Sequence, residues 1–203
     1  MGDGGIAEAL AGGGNALVVG HDADEDVCLA GRTVSDPAGA LLLGVTVDGD
    51  AAALLDAWGR SVGTGPARAT CILAGEDVRG GSAEGLVTGD AGTTLVVDTV
   101  PDPGDVSTLG TRITRHLADW DHLDGALVVR LDSLTALLEH VDAASAYRFL
   151  ALLTRQIERE GGVAHYHVDP TAVDAEVLAT LRPLFDVEVA VAADGEWTVR
   201  AIR

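Results

Sequence analysis

The sequence predicts an α/β protein: a three-layer sandwich on a mostly parallel sheet, ending in an antiparallel hairpin. Three observations carry that expectation. Short apolar runs alternate with stretches of helical period along most of the chain. The last two apolar runs are instead joined by Ala193-Asp194-Gly195-Glu196, whose Asp-Gly pair favours a tight turn between paired strands. A length of 203 residues with 47% hydrophobic content suits one core and one domain.

The elements follow in order. Residues 1–14 read as a flexible lead-in, which leaves 15–203 as the single domain. Ala16 to Gly20 is an apolar run bounded by glycine, as a buried parallel strand should be. Residues 40–45, 70–73, 94–98, 126–131 and 163–168 repeat the pattern, and 187–192 with 197–202 form the hairpin. Helical periodicity occupies 51–62, 106–120, 143–160 and 171–184, so helices are expected on both faces of the sheet. In the third of these, Tyr147, Leu150, Leu153, Thr154 and Ile157 share one face. Ser107 and Asp142 sit where N-caps belong, and Gly161-Gly162 is a stop signal. Residues 76–93 are Gly-rich and aperiodic and read as a long loop.

Charge narrows the function classes. The formal net charge is −19, all 13 basic residues are Arg, and 22 Asp outnumber 10 Glu. A chain without Lys and rich in Asp, Ala, Gly and Val resembles proteins of extremely halophilic archaea. Short carboxylates keep such a surface hydrated where molar salt screens their repulsion. So acidic a surface repels phosphate backbones, and no nucleic-acid partner is expected. No apolar run is long enough to span a bilayer, and the expected location is the cytoplasm. Cys28 and Cys71, both in apolar settings, support neither a disulfide framework nor a zinc site. Without Lys, neither a Schiff base nor a phosphate-loop ammonium can form.

Ligands of open parallel sheets bind beyond the carboxyl ends of the strands. After the first strand stands Gly20-His21-Asp22-Ala23-Asp24-Glu25-Asp26. A phosphate loop at that place needs glycines, a Lys and a hydroxyl. Here Asp22, Asp24, Glu25 and Asp26 suit a helix N-terminus and repel a triphosphate. After the run at 126–131 stands Asp132-Ser133, which fits either a magnesium-holding Asp or an N-cap; without phosphates to share the ion, the cap is expected.

These segments together resemble the RecA-like ATPases of the KaiC branch, in order and spacing more than in identity. The resembling stretches are LLLGVTVDGDAAALLDAWGRSVG, TLVVDTVPDP and ALVVRLDSLTALLEHVD, and the likeness spans about residues 15–203. It implies a RecA-like fold, with Asp48 in the region of the catalytic acidic pair and Trp58-Gly59 at the helix end. It also implies that Asp98 and the 101–105 turn precede the long helix, and that Asp132 is the magnesium Asp. The Gly-Lys-Thr/Ser of the phosphate loop is absent, and Asp48 stands alone. The resemblance is therefore to degenerate, haloarchaeal KaiC-like proteins, with ATP hydrolysis and nucleotide cofactors not expected and Asp48, Asp132 and Ser133 vestigial.

His165-Tyr166-His167-Val168-Asp169 puts two imidazoles and a carboxylate on one face at period two. With His140 or Asp132 they would make a divalent-metal site, although one packed and one hydrogen-bonded His is the plainer expectation. His21, His116 and His122 support no triad. For interaction, Tyr147, Phe149, Leu150, Leu153 and Ile157 on the third helix and Trp197 on the hairpin edge are the candidates. Two readings follow. One is a non-catalytic interaction or regulatory module that binds a protein partner or its own copy. The other is a small-ligand or metal-dependent protein using the carboxyl edge of the sheet.

Overall fold

A computed structural model describes residues 4–20, 33–47, 49–75, 84–88, 93–191 and 197–203. Its centre is a nine-stranded sheet of β1 (Gly14–Val19), β2 (Leu41–Val47), β3 (Arg68–Ala74), β4 (Glu84–Thr88), β5 (Thr94–Val100), β6 (Leu127–Asp132), β7 (Val163–Val168), β8 (Val187–Val191) and β9 (Trp197–Ala201). The spatial order is β4-β5-β3-β2-β6-β7-β1-β8-β9. Every pairing from β5 across to β8 is parallel, and β4 and β9 close the two edges antiparallel. The three-layer α/β architecture and the terminal hairpin pairing are as the sequence predicts; the Asp194-Gly195 turn lies outside the described residues.

Helices are α1 (Gly4–Ala9), α2 (Ala51–Val62), α3 (Val106–Trp120), α4 (Leu134–His140), α5 (Ala143–Arg159) and α6 (Ala175–Leu181). Right-handed crossovers decide their faces. The chain steps from β2 to β3 through α2, which packs Leu54, Leu55 and Trp58 on Leu42, Cys71 and Leu95. From β5 onward it steps the other way, and α3, α5 and α6 cover the opposite face through Ile113, Leu150 and Leu178, which share a cluster with Leu43, Leu131 and Tyr166.

Caps follow from local chemistry. Asp50, Asp105, Ser133, Asp142 and Asp174 each accept a backbone N–H from the first turn of a helix. Asp105 takes the place expected for Ser107, because its carboxylate reaches both the N–H and the hydroxyl of Thr108, at 2.9 and 2.6 Å. α5 ends where Gly161 adopts φ 65°. The helix expected over 171–184 contracts to α6: Asp174 begins it as a cap, and Pro183 tightens its end into a 3-10 turn over Arg182–Leu184.

Two elements escape the sequence reading. β4 lies inside the expected loop at 76–93, where pairing with β5 organises a segment too Gly-rich to declare itself. Within the expected flexible lead-in, Ile6 of α1 and Leu10 just past its end are buried in a cluster with Ala16, Val18, Val187 and Val189. Six residues are too few to hold a helix by propensity, so this i, i+4 apolar pair anchors it.

Candidate functional site

The strand order reverses between neighbours β2 and β6: β2 leads through α2 to one face, and β6 leads through α4 and α5 to the other. In open α/β sheets ligands bind outside the carboxyl ends of such a pair, and there a ligand site is to be sought. α2 lies close at this place because β2 carries Gly44: a Cβ there would fall 2.3 Å from Leu54 Cδ2.

Beneath these strand ends, the face shared by α1 and α2 is polar between their two apolar clusters. Arg130 lies opposite Gly44 on one side and His165 on the other, and His165 lies opposite Ala16. Arg130, His165 and His167 are all buried. The Arg130 guanidinium donates to Asp132 at 2.8 Å, so a buried cation meets the carboxylate at the carboxyl end of β6. His165 Nδ1 lies 3.1 Å from His167 Nε2, a hydrogen bond that requires one proton between the two rings. Burial, with Arg130 second, holds His165 down to about 3 and His167 well below its ordinary value, so both are neutral at pH 7. His165 Nε2 is buried and finds no hydrogen-bond partner among the described residues. The tautomer that donates from His165 Nδ1 leaves a lone pair there instead of an orphaned N–H, the cheaper arrangement.

The remaining candidates are placed as follows. Ser133 accepts the Ala136 N–H at 3.1 Å as the cap of α4, and the Asp132–Ser133 peptide is cis. Asp169 is engaged in its own turn: its carboxylate accepts the N–H and hydroxyl of Thr171, both at 2.7 Å, while its own N–H donates to Thr135. Among the described residues no three His, Cys, Asp or Glu side chains are grouped to hold a metal. His165 and His167 thus form a pair that neither Asp169, His140 nor Asp132 completes. Cys71 is buried with its thiol pushed up to about 12, chiefly by desolvation, which makes it inert. Gly20 ends the β1 segment, its N–H donating to the Val168 carbonyl at 3.1 Å. His21, Asp22, Asp24, Glu25, Asp26, Cys28 and Asp48 lie outside the described residues.

On the interaction candidates the structure divides. Tyr147 is exposed, whereas Leu150 is fully buried because it points from α5 into the sheet. Trp197 is half-buried against the cluster of Ile6 and Leu10 and is occupied there in packing. Sequence reasoning passed over two polar centres. Arg130 signals itself only as a charge inside an otherwise apolar strand. Asp98, buried on β5, gathers Arg115 at 2.6 Å, His116 at 3.0 Å and Arg112 at 3.4 Å from α3, tying that helix to the sheet.

Fold and site together define an open, mostly parallel α/β protein in which the carboxylate at the order reversal is held by an internal cation. The chain belongs to a family of unknown function, DUF7504, whose match spans residues 13–191. No curated protein matches it. Among solved structures 226 chains match, so the architecture is widely shared and selects no activity by itself. One, from Pyrococcus horikoshii OT3 (a structural study of project ID PH0250), is similar with a TM-score of 0.56 at 11% identity, covering 95% of this chain and 88% of that one. At that identity the likeness concerns the fold alone.

Proposed function

We propose that this protein is a non-catalytic relative of the RecA/KaiC-like ATPases, acting as a protein-interaction or regulatory module in a high-salt cytoplasm. The observation that carries the reading is the Arg130–Asp132 ion pair at 2.8 Å. A carboxylate that would hold magnesium beside ATP must be free to face the ion and its waters. Asp132 is instead matched to a buried guanidinium, Ser133 serves as a helix cap, and the chain supplies no lysine for the phosphates. Among the described residues no helix is long and apolar enough to cross a membrane, which accords with the cytoplasmic placement. Lys-free, Asp-rich composition supports the high-salt setting.

Thermal unfolding in 2 M potassium chloride tests the reading. Millimolar magnesium-ATP is expected to leave the melting temperature unchanged and to yield no phosphate. Micromolar affinity would instead add about 4 kcal/mol at roughly a thousandfold excess over Kd, and such a shift overturns the reading.

A further inference from the structure

On the face opposite α1 and α2, α3 and α5 run side by side and leave between them a groove of about 760 Å³. Its floor is apolar, with Gly110, Ile113, Phe149 and Leu153. Gly110 sits close to the Phe149 ring, where a Cβ would make an ordinary contact at 3.8 Å. At the rim stands Leu152, 71% exposed in a molecule whose other large hydrophobics are mostly in the core.

The charge of this face runs against that of the molecule. In a chain with 32 acidic residues, none of the described residues lining the groove is Asp or Glu, and Arg115 and Arg148 are among them. The two helices carry Arg112, Arg115, Arg148, Arg155 and Arg159 against two acids of their own, Asp119 and Glu158, the latter paired with Arg203. Arg112 and Arg115 turn to Asp98, while Arg148 reaches Ser145 Oγ at 3.0 Å within its own helix and Arg155 and Arg159 are exposed.

We propose that this groove docks an acidic amphipathic helix of a partner protein. The proposal deepens the interaction-module reading and rests on it. A trough between two parallel-running helices accepts a third, whose residues at i, i+3 or i+4, and i+7 meet Leu152 and the apolar floor. Carboxylates flanking that stripe meet the Arg side chains of α5. A second copy of this chain is the poorer occupant. Two-fold pairing through the same face sets the arginines of α5 against their own images.

The test uses the whole ¹⁵N-labelled protein and a synthetic amphipathic helical peptide of about five turns, with Leu on the stripe and Glu beside it. A control peptide carries Lys in place of Glu. The acidic peptide is expected to move amide signals of Thr111, Ala118, Ser145 and Gln156. Leu152→Asp, a substitution at an exposed position, should weaken it about tenfold or more with the rest of the spectrum retained. Arg148→Glu should shift preference toward the Lys peptide. Equal binding of both peptides, shifts elsewhere, or no shift at millimolar peptide overturns the proposal. So does a concentration-dependent dimer of the free protein that Leu152→Asp dissolves, since the occupant is then a second copy. A parallel titration with magnesium-ATP separates the two readings: nucleotide binding overturns the non-catalytic assignment and leaves the groove result standing.

Discussion

Acidification should unfold this protein through its buried histidine pair, and the size of the effect follows from where the two rings sit. In the unfolded chain each imidazole takes up a proton near pH 6.5. In the fold, His165 is held down to about 3 and His167 well below 6.5, because burial and the nearby Arg130 oppose a second positive charge. Their contribution is thus complete above pH 6.5 and is lost as pH falls from there toward about 3. Between pH 7 and pH 5 the unfolded state gains about 1.9 kcal/mol of protonation free energy per histidine, so His165 alone removes about 2 kcal/mol and His167 adds to it in the same direction. Most carboxylates stay ionised over that interval, which keeps their titration largely out of it.

The assay is guanidinium unfolding at pH 7 and pH 5 for the wild type and for the double variant His165→Leu, His167→Leu. With a denaturant slope of roughly 4–5 kcal/mol/M for a chain of this size, the wild-type midpoint should fall by at least roughly 0.4 M more than that of the variant. Other histidines contribute equally to both proteins and cancel. A stability difference between wild type and variant that is the same at both pH values, within about 0.5 kcal/mol, refutes the reasoning. The rings would then be protonated in the fold, and the single shared proton of the 3.1 Å contact would be wrong.

Three further outcomes are expected. Asp98→Asn keeps an acceptor for the Thr99 N–H but removes the charge facing Arg115 and His116; because the arginines can rehydrate, the loss should be about 2–3 kcal/mol, read by denaturant unfolding. Gly44→Ala forces α2 away from β2 at Leu54 and should destabilise by about 1–3 kcal/mol, with a change in the near-ultraviolet signal of Trp58 on the same helix. Lowering salt from about 2 M to 0.15 M should depress the melting temperature, because a net charge of −19 repels itself as the Debye length grows to about 8 Å; a flat profile would contradict the high-salt assignment.

Legibility from sequence followed the period of the burial pattern. Helix α2 over 51–62, α3 over 106–120 and strand β7 over 163–168 have the predicted bounds, because their apolar residues repeat at spacings that one element alone satisfies. α1 and β4 were hidden for the opposite reason. α1 is held by partners remote in sequence, Val187 and Val189, and β4 by pairing with its neighbour β5 across a Gly-rich stretch; each is too short for its own pattern to announce it. The same distance dependence governs the site. Period two on β7 makes the His165–His167 pair legible, whereas the position of Arg130 opposite His165 depends on how β6 registers with β7. Asp169 looks like a third ligand until its own turn is built, where Thr171 two residues on takes up the carboxylate.

Cation placement links the carboxyl edge to the helical face. A chain with 13 arginines and no lysine has few positive charges to distribute against 32 acids, so each position carries weight. At the order reversal one arginine, Arg130, is buried and matched to Asp132, and the imidazoles beside it are kept neutral by that same burial. The described part of that edge therefore offers a polyphosphate little net attraction. Five of the thirteen stand instead on α3 and α5, the helices that flank a groove whose described lining has no carboxylate and which has Leu152 in the open. In molar salt, charge steers only within a few ångströms, so these arginines act in contact and not at a distance. Apolar contact is strengthened by salting-out ions and weakened far less by screening, which suits a docking face built on Leu152, Phe149 and Ile113 with arginines at its margin. Under the proposed function, recognition has passed from the carboxyl edge of the sheet to the outer face of its helices, and Leu152→Asp and Arg148→Glu are the substitutions on which that transfer stands or falls.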